Sequence, residues 1–386
     1  MKKSWLLVCL VNFLIASLMG VTLRAAQVFP LGFDYQFLLH GHSHTAMLGW
    51  AYLALFGLIV ARFFPAAAGR YQMLFALTQL TVVGMMISFP AKGYFSVSIT
   101  FSTLQIVCSY VFAWRAWRDL PQDRMGFLKT ALAFMVISTW GAWMLGLLGA
   151  TGHKGTPLYY ASLQFFLHFQ FNGWMIFAVL ALLARHLQTS GAALDLQRIK
   201  QVKFWLIAAT LLTFGLPLSW YFTHWSWVVL NGAGVAVQAY AFILLAQVKI
   251  DRKILPPSGK RWLIYLALGS LAVKGLLQLT TLYPGMLAAS HAVRQFTIGF
   301  IHLCMLGVVT GMILFFLDGF RRLGWMGIAV LCAGFLTTEL LLFVQGASAW
   351  FGVGGVAYYP QLILIASLAF PAGLVLMLID ATRVKS

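Results

Sequence analysis

The sequence predicts an all-α integral membrane protein: a twelve-transmembrane-helix bundle forming one domain over residues 1–386, with both termini cytoplasmic. Three observations predict it. Hydrophobic residues make up 61% of the chain and charged residues 9%, a balance no ordinary soluble domain carries. Apolar runs of about 20 residues recur along the whole length, each long enough to cross roughly 30 Å of hydrocarbon as a helix. Lys and Arg crowd into alternate loops, the mark of segments retained on the cytoplasmic side.

The spans follow in order. Span 1 (4–23) follows Lys2 and Lys3; it is too long for a signal peptide and lacks a small-residue cleavage motif, so it stays as a helix. Arg62 and Arg70 lie between span 2 (37–61) and span 3 (71–91), and the basic stretch from Arg115 to Lys129 links span 4 (98–118) to span 5 (127–149). Arg185 to Lys203 separates span 6 (158–184) from span 7 (203–223), and Lys249 to Arg261 separates span 8 (226–248) from span 9 (262–282). Arg321 and Arg322 divide span 10 (288–317) from span 11 (323–346), and span 12 (357–380) runs out into Arg383 and Lys385. Of the 26 cations only Arg24, Lys92, Lys154, Lys274 and Arg294 fall elsewhere, so the net charge of +18 is a topology signal. It fits a multi-pass protein of the bacterial inner membrane whose basic face also meets anionic lipid headgroups, and it is no sign of nucleic-acid binding.

Cys9, Cys108, Cys304 and Cys332 all lie inside spans without close-spaced partners, so they indicate neither a disulfide framework nor a zinc site and read as buried small hydrophobes. The chain shows no GxGxxG, no Walker motif and no internal repeat, so nucleotide chemistry has no support.

The histidines carry the functional signal. Eight of the nine fall in the outer half or midplane of the predicted bundle, opposite the basic loops. "LLHGHSHTAMLGW" places His40, His42 and His44 near the start of span 2. Residues four apart share a helix face and residues two apart point nearly oppositely, so His40 and His44 stack while His42 looks away. His168 lies near mid-bilayer in span 6, His224 closes span 7, and His291 and His302 share span 10 on one face, three helical turns apart. Ionisable residues inside a bilayer are costly and mark ion, proton or cofactor sites. Imidazoles projecting into a bundle interior are a common way to hold haem iron, copper or zinc.

Twelve helices with histidines on spans 2, 6, 7 and 10 near the outer face resemble subunit I of the haem-copper oxidases and nitric oxide reductases. "HSHTAMLGW" resembles the HxHxxxLGW segment of short oxidase-like membrane proteins, and "SHAVRQFTIGFIHL" resembles the haem-binding, twelve-span NnrS family. The resemblance implies one or two haems of b type held by His42 or His44 with His291 or His302, and copper as a further metal at His168 and His224. His40 completes the set of metal-ligand candidates. Three departures from the oxidase pattern are plain. Span 10 lacks a close HxH pair, Trp225 follows His224 where a second histidine stands in the family, and Asn172 replaces a tyrosine four residues after His168.

Glu339, the only glutamate, lies inside span 11, and Lys274 in span 9 is its expected partner at similar depth. The resemblance gives Glu339 a proton-delivery role, with Lys274 and Tyr221 as further catalytic candidates. Arg294 and Lys92 are candidates for holding haem propionates by charge-assisted hydrogen bonds. The leading expectation is a haem-dependent membrane oxidoreductase that takes electrons from a cytochrome or quinol and binds or reduces nitric oxide or oxygen. A histidine-lined transporter of a metal ion or small solute, and a non-catalytic haem-based sensor or nitrosative-stress protein, are the alternatives.

Overall fold

A computed structural model describes residues 1–120, 125–248, 258–318 and 323–383. Arg124, Lys249, Arg252, Lys253, Arg321, Arg322 and Lys385, which carry part of the loop-charge pattern, lie outside the described residues. Every regular element among those residues is helical. Among the described residues twelve helices are long and apolar enough to cross a membrane: α1 (Lys3–Ala25), α2 (Tyr35–Phe63), α3 (Pro65–Lys92), α4 (Ser96–Asp119), α5 (Phe127–Ala150), α6 (Pro157–Thr189), α7 (Leu196–Ser219), α8 (Trp225–Ala246), α9 (Arg261–Thr280), α10 (Arg294–Leu317), α11 (Trp325–Phe351) and α12 (Tyr359–Arg383). The chain is thus a multi-pass helical membrane protein.

Local chemistry sets the helix starts. Asp34 accepts a hydrogen bond from the Phe37 N–H at 3.0 Å and caps α2. Thr156 caps α6 just before Pro157, whose fixed φ suits the first helical position. Asp195 caps α7 by accepting from Arg198 N–H at 3.0 Å. One boundary departs from expectation. Val293 is extended (φ −99°, ψ 102°), so α10 begins at Arg294 and the preceding residues form a separate short helix, Pro284–Ala292. His291 and His302 therefore do not share one helix face, because an extended residue resets the helical phase between them.

Two compact units make up the chain, 1–111 with 293–386, and 112–292. In the first, α2 packs on α1, α3 and α10, and α11 packs on α10 and α12. Gly41 on α2 lies against Pro90 of α3 so closely that a Cβ would sit 2.6 Å from the proline ring, which makes this a position only glycine can fill. Trp50 on α2 donates from Nε1 to Thr310 Oγ1 of α10 at 2.9 Å, a buried bond that locks the two helices in register. In the second unit, α5 packs on α6, and α8 packs on α7 and α9.

Burial singles out three helices. The apolar stretches of α2, α6 and α10 are 83%, 72% and 78% buried, against at most 50% for the other nine. These are the interior helices of their units, as befits the ones that carry the deep histidines. Each also changes winding just after a histidine: π-helical turns run over Thr45–Tyr52, Phe169–Met175 and Leu303–Thr310, following His44, His168 and His302. Short π segments inside α-helices are frequent at functional sites because they re-aim side chains at one level of the helix.

Candidate functional site

In the first unit the alternation His40, His42, His44 divides between two faces of α2. His42 turns to α1, where its Nδ1 lies 2.9 Å from the Ala16 carbonyl oxygen. Its ring rests on Gly20, where a Cβ would come within 3.0 Å of Cε1; the missing side chain is the seat of the imidazole. An Nδ1–H donated to a carbonyl leaves Nε2 with its lone pair, which is the ligand form of histidine. His40 and His44 turn to α3 instead. His44 stacks on Phe89 at 4.2 Å between ring centroids, and His40 meets Tyr94 edge-on at 4.7 Å.

His302 on α10 comes close to the His42 side of this arrangement, within electrostatic reach of both His42 and Arg24. Its Nδ1 lies 3.7 Å from Glu339 Oε1, too long for a hydrogen bond but close enough for the carboxylate to orient the ring. The carboxylate oxygens of Glu339 and Nδ1 of His302 are buried without a hydrogen-bond partner among the described residues. The His302 side chain keeps 28% of its surface accessible on a helix that is otherwise mostly buried. Arg24 adds a guanidinium within electrostatic reach of Tyr35, Arg294, Glu339 and Tyr359. Arg294 also lies over the Tyr35 ring at 5.7 Å.

The first unit thus gathers two imidazoles, a carboxylate, two guanidiniums and two phenols. Of the ligand types that hold haem, this unit offers imidazole nitrogens on His42 and His302 and cations on Arg24 and Arg294 that could meet propionates, while Gly20 seats the His42 ring. Arg24 and Gly20 were not singled out by sequence. The signal for Arg24 was available, since it is one of only five cations outside the alternate basic loops; Gly20 had none.

The second unit treats its histidines differently. His168 commits Nε2 to the Thr210 carbonyl at 2.8 Å, and its Nδ1 faces Asn172 Nδ2 at 3.4 Å. His224 is exposed and caps α8, its Nδ1 at 2.7 Å from Ser226 Oγ. His168 thus has both ring nitrogens directed at protein groups, and His224 has Nδ1 taken up at the start of α8. His291 is exposed and stacks on Trp220 at 5.3 Å, with Tyr221 edge-on at 5.5 Å. Burial raises the pKa of the Tyr221 phenol, an effect that a hydrogen bond with Gln164 opposes, so at neutral pH it stays protonated. Among the described residues no three His, Cys, Asp or Glu side chains come together as a metal-ligand group.

Lys274 is buried in the second unit and donates to Gln278 Oε1 at 2.8 Å, an oxygen that also accepts from Gln238 Nε2 at 2.9 Å. With Asn172, Thr210 and Thr213 it lines a cavity of about 20 Å³, room for a single water molecule. Lys274 and Glu339 belong to different units, and within its own unit each has a different neighbour: Gln278 for the lysine, His302 for the glutamate. Lys92 lies 5.9 Å from the Phe95 ring.

The three π-turn histidines also share a short pattern. His44 with Gly49, His168 with Gly173 and His302 with Gly307 each read H-x-x-x-x-G, a local recurrence too short to register as an internal repeat. No family model matches the chain, and no curated protein matches it.

Proposed function

We propose that the chain is a haem-binding membrane redox protein with the architecture of haem-copper oxidase subunit I, seated in the bacterial inner membrane with both termini in the cytoplasm. His42 and His302 would hold a b-type haem, and Arg24 and Arg294 would hold its propionates. Such a group, held between two imidazoles, would supply one-electron transfer. The observation that carries the reading is the fixed imidazole of His42: its Nδ1 is engaged by the Ala16 carbonyl, its ring is seated on Gly20, and a second imidazole on α10 is in electrostatic reach.

The protein's own groups have separate tasks in this reading. Ala16 and Glu339 orient the two imidazoles, as carbonyls and carboxylates behind ligating histidines generally do. Trp50 and Thr310 keep α2 and α10 in register, so that the two rings are held without help from the loops. Arg24, within electrostatic reach of Glu339, offers donors to an anionic group. A cytochrome or quinol would supply electrons.

The test is a reduced-minus-oxidised spectrum with a pyridine haemochrome assay on the purified protein. A stoichiometric b-type signal that disappears in His42→Ala and His302→Ala supports the proposal. A protein purified from haem-replete cells without that signal removes it, and metal uptake by such haem-free protein in proteoliposomes would favour a transporter instead.

A further inference from the structure

The other two imidazoles of the α2 triplet are left over by that assignment. They lie on the opposite face from His42, one helical turn apart, and nothing in the haem reading uses them. We propose that His40 and His44 form a separate two-imidazole site for a late first-row divalent metal ion, with Cu(II) held most strongly. The proposal stands on its own geometry and does not rest on haem.

Histidines at i and i+4 on one helix face are a recurrent metal-binding pair, since one turn brings both rings to the same side. Here the face is verified by what the rings touch. His40 and His44 both pack on the same two aromatic side chains of the neighbouring segment, at 6.2 and 4.2 Å from the Phe89 ring and 4.7 and 6.1 Å from the Tyr94 ring. The two imidazoles are also within electrostatic reach of each other. His44 Nδ1 lies 2.9 Å from the His40 carbonyl, so that nitrogen carries the proton and Nε2 is the ligand. The aromatic contacts restrict both side chains before any ion arrives, which lowers the entropy lost on binding.

Access and ligand number narrow the ion. The pair lies within the first three turns of α2, beside exposed Ser43 and half-exposed Tyr94, so an ion reaches it from the chain end of the helix without crossing the bundle. No third His, Cys, Asp or Glu joins among the described residues. A closed four-ligand zinc site is therefore not what the pair builds. Two imidazoles with water completing a tetragonal shell suit Cu(II), which also heads the divalent affinity order for nitrogen ligands.

The experiment uses the full chain, purified without a histidine tag, titrated with Cu(II) and followed by electron paramagnetic resonance. One equivalent should bind with hyperfine structure from two imidazole nitrogens. His40→Gln and His44→Gln should each weaken binding by about 100-fold, the gain a second tethered ligand gives over one, while Ser43→Ala, at an exposed residue between them in the chain, should leave it unchanged. Zn(II) should compete weakly. Binding that persists in the double variant, or spectra without imidazole nitrogen coupling, would overturn the proposal. So would loss of haem absorbance in His44→Gln with haem retained in His42→Gln, since that would make His44 a haem ligand. Far-ultraviolet dichroism on each variant separates loss of ligand from loss of fold, and the conservative Tyr94→Phe, which keeps both imidazoles, should bind copper like the parent.

Discussion

Replacing Gly20 by alanine tests the imidazole seat with a change of one methyl group. A Cβ at this position would lie 3.0 Å from His42 Cε1, where ordinary contacts begin at 3.4 Å, so the ring must retreat by about 0.4 Å. It is held to that same helix by the 2.9 Å contact between Nδ1 and the Ala16 carbonyl, one turn before Gly20, so a retreat from α1 stretches or tilts that bond. Losing a hydrogen bond of this kind costs about 1 kcal/mol, which corresponds to roughly a fivefold to tenfold weaker hold on a haem ligated by His42. The helix moves the other way, because alanine replaces glycine in a helix interior with a gain of about 1 kcal/mol. Gly20→Ala should therefore bind haem more weakly while the haem-free protein melts at the same temperature or higher, and the bulkier Gly20→Val should bind more weakly still. Haem titration followed at the Soret band, beside a thermal melt of the stripped protein, reads both quantities. Unchanged affinity and spectra in both variants would refute the seat.

Further outcomes follow from other contacts. Trp50→Phe removes the indole donor from Thr310 and should lower stability by about 1–3 kcal/mol, seen as a lower melting temperature with haem ligation intact at first. Glu339→Gln keeps the shape beside His302 but removes the carboxylate; haem affinity should fall by about 10-fold or more and the midpoint potential should rise, both read by redox titration. Gln278→Leu takes the acceptor from Lys274 Nζ and should destabilise the protein, whereas Lys274→Met should melt no lower than the parent, since replacing a buried ion by a well-packed apolar group is often neutral or stabilising. For Tyr221 the sign follows from its raised pKa: the favourable term is fully present below the ordinary phenol value near about 10 and is lost as pH climbs through the folded value. Tyr221→Phe should accordingly move the onset of alkaline unfolding to higher pH.

The division of labour within α2 was legible in advance. A spacing of two on a helix sends neighbours to opposite faces, and His42 meets α1 while His40 and His44 meet α3. The shared face of His291 and His302 was not borne out, because the extended backbone at Val293 interrupts a segment whose apolar pattern reads as continuous. Pattern reports which residues avoid water and is silent about a single residue that leaves the helical region. Lys274 was matched to Glu339 by depth alone, and within its own unit it also donates to Gln278, one turn along its helix. Depth in the bilayer does not report such i+4 neighbours, which helix geometry supplies.

By itself the sequence determined that this is a helical multi-pass membrane protein, how many apolar crossings it has, and which crossings carry imidazoles. Those properties depend on hydrophobicity and on the period of the helix, and both are written along the chain. Tertiary structure alone decided which imidazoles have neighbours fit for ligation. The Ala16 carbonyl behind His42, the Gly20 seat, the Glu339 carboxylate beside His302 and the Thr210 carbonyl that occupies His168 all come from other helices. A ligand nitrogen is made by what its partner nitrogen bonds to, and that partner is set by packing between segments far apart in the chain.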